Sequence, residues 1–235
     1  MQFSTSQTLL YDTENYLDCD DMSTKNCKIY YILVPILLIF SSNAVYGNIA
    51  FQNFSEKNEK NLTTVLDNIK NLLPKKLIIS PDVYMHNSRF YSLYKFQLNG
   101  KELYKWLEKR INIFTYENSW TVATNKGNGV ISIGDQFFES KPLEQLYILI
   151  HEARHSDGDS YPHIKCPPGV ISATQPEMDL TRYPACDNRV DGAYGFQAAL
   201  LFEIYAYGLF DYQMAGLLYN STISRIILIS GTENN

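Results

Sequence analysis

The stretch LYILIHEARHSDG, residues 146–158, begins as an apolar run and then turns abruptly polar. The chain has only four histidines, and two of them, His151 and His155, lie in this stretch together with Glu152. A pair of histidines and a glutamate at the end of an apolar segment needs a chemical reason, because polar side chains are costly to bury without partners.

The residues around this stretch predict a helix that presents an apolar stripe to the core. Ser140 is a favourable N-cap residue, and Pro142 in the first turn loses no hydrogen bond. Gly158 is a typical C-terminal stop. The predicted stripe consists of Leu143, Leu146, Tyr147, Ile150 and Arg154.

On such a helix, His151 and His155 lie one turn apart on the same face. That spacing allows two imidazoles to bind one metal ion, while Glu152 holds a water molecule beside it without being a ligand. Zinc brings the pKa of its water towards neutrality and polarises a carbonyl group. Glu152 can then accept the proton of that water and pass it to a leaving amine.

The sequence His151–His155, HEARH, resembles the H-E-x-x-H motif of the zincin metallopeptidases. The resemblance extends from about residue 120 to 210 and is architectural outside the motif. It implies a sheet edge beside the motif helix, a Zn²⁺ cofactor and a peptide or protein substrate. It also implies His151 and His155 as ligands and Glu152 as the catalytic base.

A catalytic zinc site needs a third protein ligand, and one candidate follows the motif directly. Metzincins continue their motif as HExxHxxGxxH. Gly158 matches their glycine, but Tyr161 stands where they have histidine. The nearest histidine is His163, two residues later.

The other candidate is Glu203, because gluzincins take a glutamate from a later helix as the third ligand. Its carboxylate is predicted to lie on an apolar face, where it needs a metal or a cation such as Arg154. The resemblance favours Glu203 and leaves His163 as the alternative, with Asp157 or Asp159 behind them. The predicted helical neighbours of Glu203 are Phe196, Ala199, Leu200, Ala206, Tyr207 and Phe210.

The rest of the chain predicts an α+β fold with a small mixed or antiparallel sheet beside the active-site helix. A mainly helical C-terminal part follows. The pattern indicates helices at 56–73, 101–110 and 192–218, the last as one helix or a pair, and an irregular loop at 159–190. It indicates strands at 75–80, 92–98 and 111–117, and a hairpin of 119–124 with 130–138.

The N-terminal part contains a signal-like segment. Residues 29–40, IYYILVPILLIF, form an apolar run behind Lys25 and Lys28. The run is shorter than the ~20 residues of a membrane-spanning helix and is typical of a secretion signal. Small residues suitable for cleavage follow at Ala44 and Gly47.

Three segments follow from this interpretation. Residues 1–21 are acidic and precede Met22, so they are interpreted as an over-extended N-terminus. Residues 22–47 are the predicted signal peptide, and residues 48–235 are the predicted metallopeptidase domain. The alternative is a protein anchored in the membrane by residues 29–40.

Loss of the signal leaves two cysteines, Cys166 and Cys186, which predicts one disulfide in an exported protein. The formal net charge of -5 and the lack of a basic cluster give no reason to expect nucleic acid. No membrane partner is expected after signal cleavage.

The resulting hypothesis is an exported zinc peptidase, either secreted or periplasmic. One rival is a non-catalytic binding or structural protein on the same scaffold. Another is a zinc amidase that acts on cell-wall peptides.

Overall fold

The computed structural model describes residues 45–46, 48–158, 161–172 and 178–228, which form a small mixed sheet and a set of helices. The predicted α+β class is confirmed. The first half contains β1 (Val45–Tyr46), β2 (Ile49–Gln52), α1 (Glu56–Lys70), α2 (Pro81–Asn87), α3 (Phe90–Tyr94), α4 (Gly100–Glu108), β3 (Ile113–Tyr116), β4 (Ala123–Asn125) and β5 (Val130–Ile133). The second half contains α5 (Asp135–Glu139), α6 (Pro142–His155), β6 (Ile164–Lys165), β7 (Pro184–Cys186), α7 (Ala193–Ala206) and α8 (Tyr212–Ile223).

The main sheet has the strand order β1-β2-β3-β5-β4. Its central strands β2, β3 and β5 are parallel, whereas β1 and β4 pair antiparallel at the two edges. The edge strand β4 packs beside α6, so the motif helix lies next to a sheet edge. Strands β6 and β7 form a separate two-stranded antiparallel sheet within the predicted irregular loop.

Helix α6 is fixed by its apolar side. Leu146, Leu149 and Ile150 are fully buried in the core that α6 shares with the sheet and α7. Truncating such a leucine to alanine costs about 2–5 kcal/mol, so the helix has little freedom to turn about its axis. The core therefore sets the direction in which the motif histidines point.

Helix α7 is buried on nearly all sides, as expected for a helix that is apolar around its whole circumference. It packs against α3, α6 and α8. The predicted C-terminal helical segment is thus a pair, α7 and α8.

Two strand predictions are wrong. Residues 75–80 form a connection in which Ile78 is more than half exposed, and Ser80 caps α2 by accepting a hydrogen bond from Val83. Residues 92–98 include the end of α3, where Phe90 and Tyr94 stack at a helical four-residue spacing with ring centroids 4.1 Å apart. Short aromatic runs do not distinguish a strand from one helical turn.

Smaller differences concern element ends. The predicted hairpin is present as β4 and β5, but residues 135–139 form the helix α5 instead of continuing the strand. Helix α6 is capped by Lys141, whose backbone N–H donates to Glu144, whereas Ser140 ends α5. The strand β2 was not predicted.

Most of the predicted signal, including residues 29–40, lies outside the described residues. Val45 and Tyr46 pair with β2 through Ala50 and Ile49. Cleavage after Ala44 would therefore keep this pairing, and cleavage after Gly47 would remove it. No helix in the described part of the chain has the length and apolar character needed to cross a membrane.

Candidate metal centre

The last turns of α6 present His151 and His155 on one face, as predicted. Their Nε2 atoms are 3.3 Å apart, and their rings meet edge to face. His151 is buried and His155 is half-buried. The Nε2 atoms of both rings are thus close enough to bind the same ion.

His163 completes the cluster from the segment that precedes β6. Its Nε2 atom lies 3.0 Å from that of His151 and 3.2 Å from that of His155. Among the described residues, these three form the single group of three or more histidine, cysteine, aspartate or glutamate side chains that is close enough to hold a metal ion.

The hydrogen bonds of the Nδ1 atoms indicate which ring nitrogen remains available to a metal. The Nδ1 atom of His155 lies 2.9 Å from the backbone carbonyl oxygen of Tyr161, and that of His163 lies 2.8 Å from the Asp187 carboxylate. Both acceptors are oxygens, so Nδ1 carries the proton in each ring. The Nε2 atoms are left with lone pairs, which is the tautomer that a metal ligand needs.

The third ring is held in the same way. Nδ1 of His151 lies 2.9 Å from Oε1 of the buried Gln197, whose Nε2 donates to Thr222. The three Nε2 atoms therefore converge, at 3.0–3.3 Å from one another. Lone pairs on all three nitrogens would repel one another, and either a proton on one nitrogen or a cation between them removes this repulsion.

The spacing fits a tetrahedral metal ion. Zn–N bonds of about 2.0–2.1 Å at tetrahedral angles separate two ligand nitrogens by about 3.3 Å. Three histidines with a fourth position open are also a donor set used by catalytic zinc sites. Imidazole nitrogens suit several transition metals, so the cluster could hold a metal ion but does not define which metal it is.

Burial acts on the protonation of the cluster. It holds the pKa of His151 well below the usual histidine range, with smaller contributions from the neighbouring His163 and His155. Burial also lowers the pKa of His155, and His163 adds to this effect. Neutral rings are the forms that bind metals.

Glu152 is held beside the cluster by the edge strand. Its carboxylate accepts a 2.9 Å hydrogen bond from the backbone N–H of Asn125 in β4. The Asn125 side chain donates to the backbone carbonyl of Glu152 and to Ser156, so one residue ties β4 to the end of α6. Burial raises the pKa of Glu152 to about 7, against the opposing effect of the Asn125 hydrogen bond. A divalent ion in the cluster would favour the carboxylate instead.

Glu203, the favoured third ligand from sequence, does not lie with the histidines. Its buried carboxylate accepts hydrogen bonds from Ser88 at 2.6 Å and from Tyr84 at 3.0 Å, which link α7 to the end of α2. Burial raises the pKa of this carboxyl group, while the two hydroxyls oppose the rise. The order of the two candidates is therefore reversed, because His163 joins His151 and His155 and Glu203 does not.

The remaining acidic candidates do not join the cluster either. The Asp157 carboxylate pairs with Arg154 and with Arg110, the latter at 2.9 Å. Arg154, considered as a partner for Glu203, also donates to the backbone carbonyl of Asp191 and packs against the Tyr161 ring. Asp159 lies outside the described residues.

Asp187 is a site residue that the sequence pattern did not indicate. It is almost fully buried, and its second oxygen accepts a hydrogen bond from the backbone N–H of Tyr194 in the first turn of α7. A carboxylate is stabilised at a helix N-terminus. Gly192 makes room for it, because a Cβ atom there would lie 2.3 Å from the Asp187 oxygen.

A disulfide joins the two segments that contain His163 and Asp187. Cys166 and Cys186 are bonded, with Cα atoms 5.1 Å apart. Cys166 lies three residues after His163, and Cys186 immediately precedes Asp187. The crosslink therefore ties together the third histidine and the carboxylate that orients it.

Tyr194 is a second residue that sequence reasoning missed. Its ring lies 4.6 Å from that of His151 and 4.9 Å from that of His163, measured between centroids. Its hydroxyl accepts a hydrogen bond from Arg225 at 2.6 Å. In a chain with 18 tyrosines, nothing in the sequence distinguishes this one.

No protein-family model matches the chain, and no curated protein or solved structure is significantly similar to it. The functional assignment therefore depends on the geometry of this site.

Proposed function

We propose that the chain is an exported zinc-dependent peptidase of the zincin type. The observation that carries the proposal is the convergence of three Nε2 lone pairs, from His151, His155 and His163, next to the carboxylate of Glu152. In this proposal the three histidines are the zinc ligands, and a fourth position stays open for water or substrate.

Zinc bound to these nitrogens would acidify a water molecule and polarise the carbonyl of the scissile bond. Glu152 accepts the proton of the attacking water and then donates it to the leaving amine. Its position supports this role, since Asn125 holds one oxygen of the Glu152 carboxylate. The Glu152 side chain lines one cleft together with His151 and a second cleft together with His155 and His163.

The position of the edge strand β4 is an argument for a peptide substrate. The hydrogen bonds from Gly134 to Val122 and from Lys126 to Val130 set the register of the β4–β5 hairpin. By alternation, the backbone groups of Ala123 point away from β5, towards the cleft that also contains Glu152. An extended peptide can pair with such an edge by adding one strand.

The exported location is part of the proposal. The disulfide Cys166–Cys186 supports it, because stable disulfides form in oxidising compartments. The signal-like residues 22–47 provide the route.

The test measures metal content and hydrolysis separately. We expect His151→Ala to lose zinc, because the two remaining histidine ligands hold the ion too weakly. Glu152→Gln should keep zinc, since Glu152 is not a ligand, and should lower the rate about 10²–10⁴-fold, the usual range for a missing general base. Rates are measured on an unfolded protein substrate by mass spectrometry of the fragments.

Glu144→Gln is the matched control, because it removes a carboxylate from the first turn of the same helix and glutamine preserves the cap. It should leave metal content and rate unchanged. Full activity of Glu152→Gln would contradict the mechanism. Zinc binding without any hydrolysis by the wild type would favour a non-catalytic binding protein.

A further inference from the structure

A cavity of about 260 Å³ opens directly beside the metal centre. It is lined by His151 and Glu152 from α6 and by Ala123 from the edge strand, so a group bound in it lies next to the scissile bond of the proposed reaction. Binding sites for drug-sized ligands are about 300–1,000 Å³. This cavity is smaller and suits one substrate residue.

The walls of the cavity are mixed in character. Tyr147, Ile148 and Leu218 supply apolar surface, and Gln197 and Thr222 are occupied by the hydrogen bonds that orient His151. The charged groups of the cavity should therefore determine which polar substituent binds there.

Arg225 is the cation of this cavity. It follows α8, and its backbone is fixed on both sides, by an N–H bond to Thr222 and by the carbonyl that accepts from Asp187. Within the described part of the chain, its guanidinium donates one hydrogen bond, to the Tyr194 hydroxyl, and lies over that ring at 5.1 Å. The side chain is thus held in place at the cavity wall.

No carboxylate in the described part of the chain pairs with Arg225. The nearby Asp187 is already used, with one oxygen on His163 and the other on the backbone of Tyr194. A guanidinium has five N–H donors in a planar fork, and a neutral hydroxyl satisfies only one of them here. The fork matches the two oxygens of a carboxylate.

We propose that this cavity is a subsite for a carboxylate of the substrate, which pairs with Arg225. The inference rests on the proposed function, because it assigns the substrate class of the same site. A bound divalent cation would offset the charge of Glu152 and leave the cavity with an excess of positive charge. The carboxylate can come from an aspartate or glutamate side chain, or from a free C-terminus.

Peptide pairs separate these two sources. One pair differs by glutamate against glutamine at an internal position, and the other by a free C-terminal acid against its amide. Ion-paired hydrogen bonds contribute enough to expect a preference of about tenfold or more in kcat/KM for the acid of the relevant pair. Cleavage is followed by mass spectrometry, so the same data show which side of the scissile bond carries the carboxylate.

Variants of Arg225 test the assignment. Arg225→Ala should abolish the preference, Arg225→Lys should keep part of it, and Arg225→Glu should reverse it in favour of lysine-containing peptides. Lys101→Ala, which removes an exposed cation from α4, should leave the preference unchanged. Tyr194→Phe should keep at least part of it, because this variant retains the guanidinium and loses only the hydroxyl that holds it. A preference lost in Tyr194→Phe and kept in Arg225→Ala would overturn the proposal.

A binding measurement makes the inference independent of turnover. Succinyl monohydroxamate and its amide both offer a metal-binding hydroxamate but differ in the carboxylate at the other end. Calorimetry on the zinc-loaded wild type should show about tenfold tighter binding of the acid, and none of this difference in Arg225→Ala. Equal binding of the two compounds, or binding of neither, overturns the proposal.

The two proposals fail in different ways. Hydrolysis without any preference for a carboxylate, together with equal hydroxamate affinities, rejects the subsite and leaves the peptidase. A hydroxamate preference in a protein that cleaves no peptide rejects the peptidase and leaves the subsite.

Discussion

The candidate metal centre has two halves that are built differently. His151 and His155 are one turn apart on α6, a helix whose other side is locked in the main core. His163 comes from an irregular segment that is held by a disulfide, a short two-stranded sheet and the buried carboxylate of Asp187. The geometry of the helical half follows from the regular turn of the helix, and that of the loop half follows from individual contacts.

The difference affects how each half responds to change. On α6, backbone hydrogen bonds and several buried leucines share the task of positioning, so no single partner decides the direction of a ring. In the loop, the direction of His163 depends on Asp187 and on the crosslink next to it. We therefore expect the loop half to be the more sensitive to substitutions outside the ligands themselves.

The largest effect should come from removing a ligand in either half. His163→Ala should weaken zinc binding as severely as His155→Ala, by more than the roughly 100-fold that marks the upper range for outer partners. Glu203→Gln should keep wild-type affinity, because its carboxylate is bonded to Ser88 and Tyr84. Competition with a chromophoric chelator measures all three.

The opposite pattern would break the comparison. If His163→Ala kept its zinc and Glu203→Gln lost it, the third ligand would come from α7, and both parts of the centre would be helical.

A smaller effect is expected from the partner of His163. Asp187→Asn leaves one oxygen for two bonds, to His163 and to the backbone of Tyr194, and removes the charge that makes the ring a better ligand. Loss of such a partner typically weakens metal binding about 10–100-fold. The same chelator competition applies.

The corresponding change in the helical half is Gln197→Leu, which removes the partner of His151. Because α6 still orients that ring, its effect should be smaller than that of Asp187→Asn. Equal losses in the two variants would show that the helix gives His151 no advantage.

The same division explains what the sequence predicts and what it does not. His151, Glu152 and His155 follow from a spacing that one helical turn enforces, and β4 beside them follows from a clear hairpin pattern. Helical spacing and a hairpin pattern can be recognised in a single sequence because both depend only on local geometry.

The choice of third ligand depended on long-range contacts, which local patterns do not encode. The sequence argument expects Glu203 to need a metal or a cation because it is acidic on an apolar helix, and the residue is indeed almost fully buried. Its partners, Tyr84 and Ser88, lie more than a hundred residues earlier, in a segment without any distinctive pattern. The structure places two hydroxyl groups at this carboxylate, where the sequence argument expected a cation.

The smallest effect on the metal should come from the crosslink. Cys166→Ala combined with Cys186→Ala opens a loop closed across a sequence separation of 20, for which chain entropy gives about 3 kcal/mol in the free energy of unfolding. Zinc affinity should fall by less than about tenfold, below the range for a lost outer partner. The reason is that backbone hydrogen bonds from Cys166 to Tyr183 and from Arg182 to Cys166, both 2.9 Å, still join the two segments.

Thermal denaturation with and without zinc separates the two parts of this effect. The metal-free variant should unfold at a lower temperature than the metal-free wild type, and the rise on adding zinc should be slightly smaller, because that rise follows the metal affinity. Chemical reduction of the disulfide is a less direct test, because Cys186 is fully buried and reduction would leave a buried thiol. The double alanine variant removes the crosslink without this complication. A variant that bound no zinc would mean that the crosslink, and not the hydrogen-bonded strands, holds His163 against α6. An affinity identical to the wild type would mean that Asp187 alone orients the loop half.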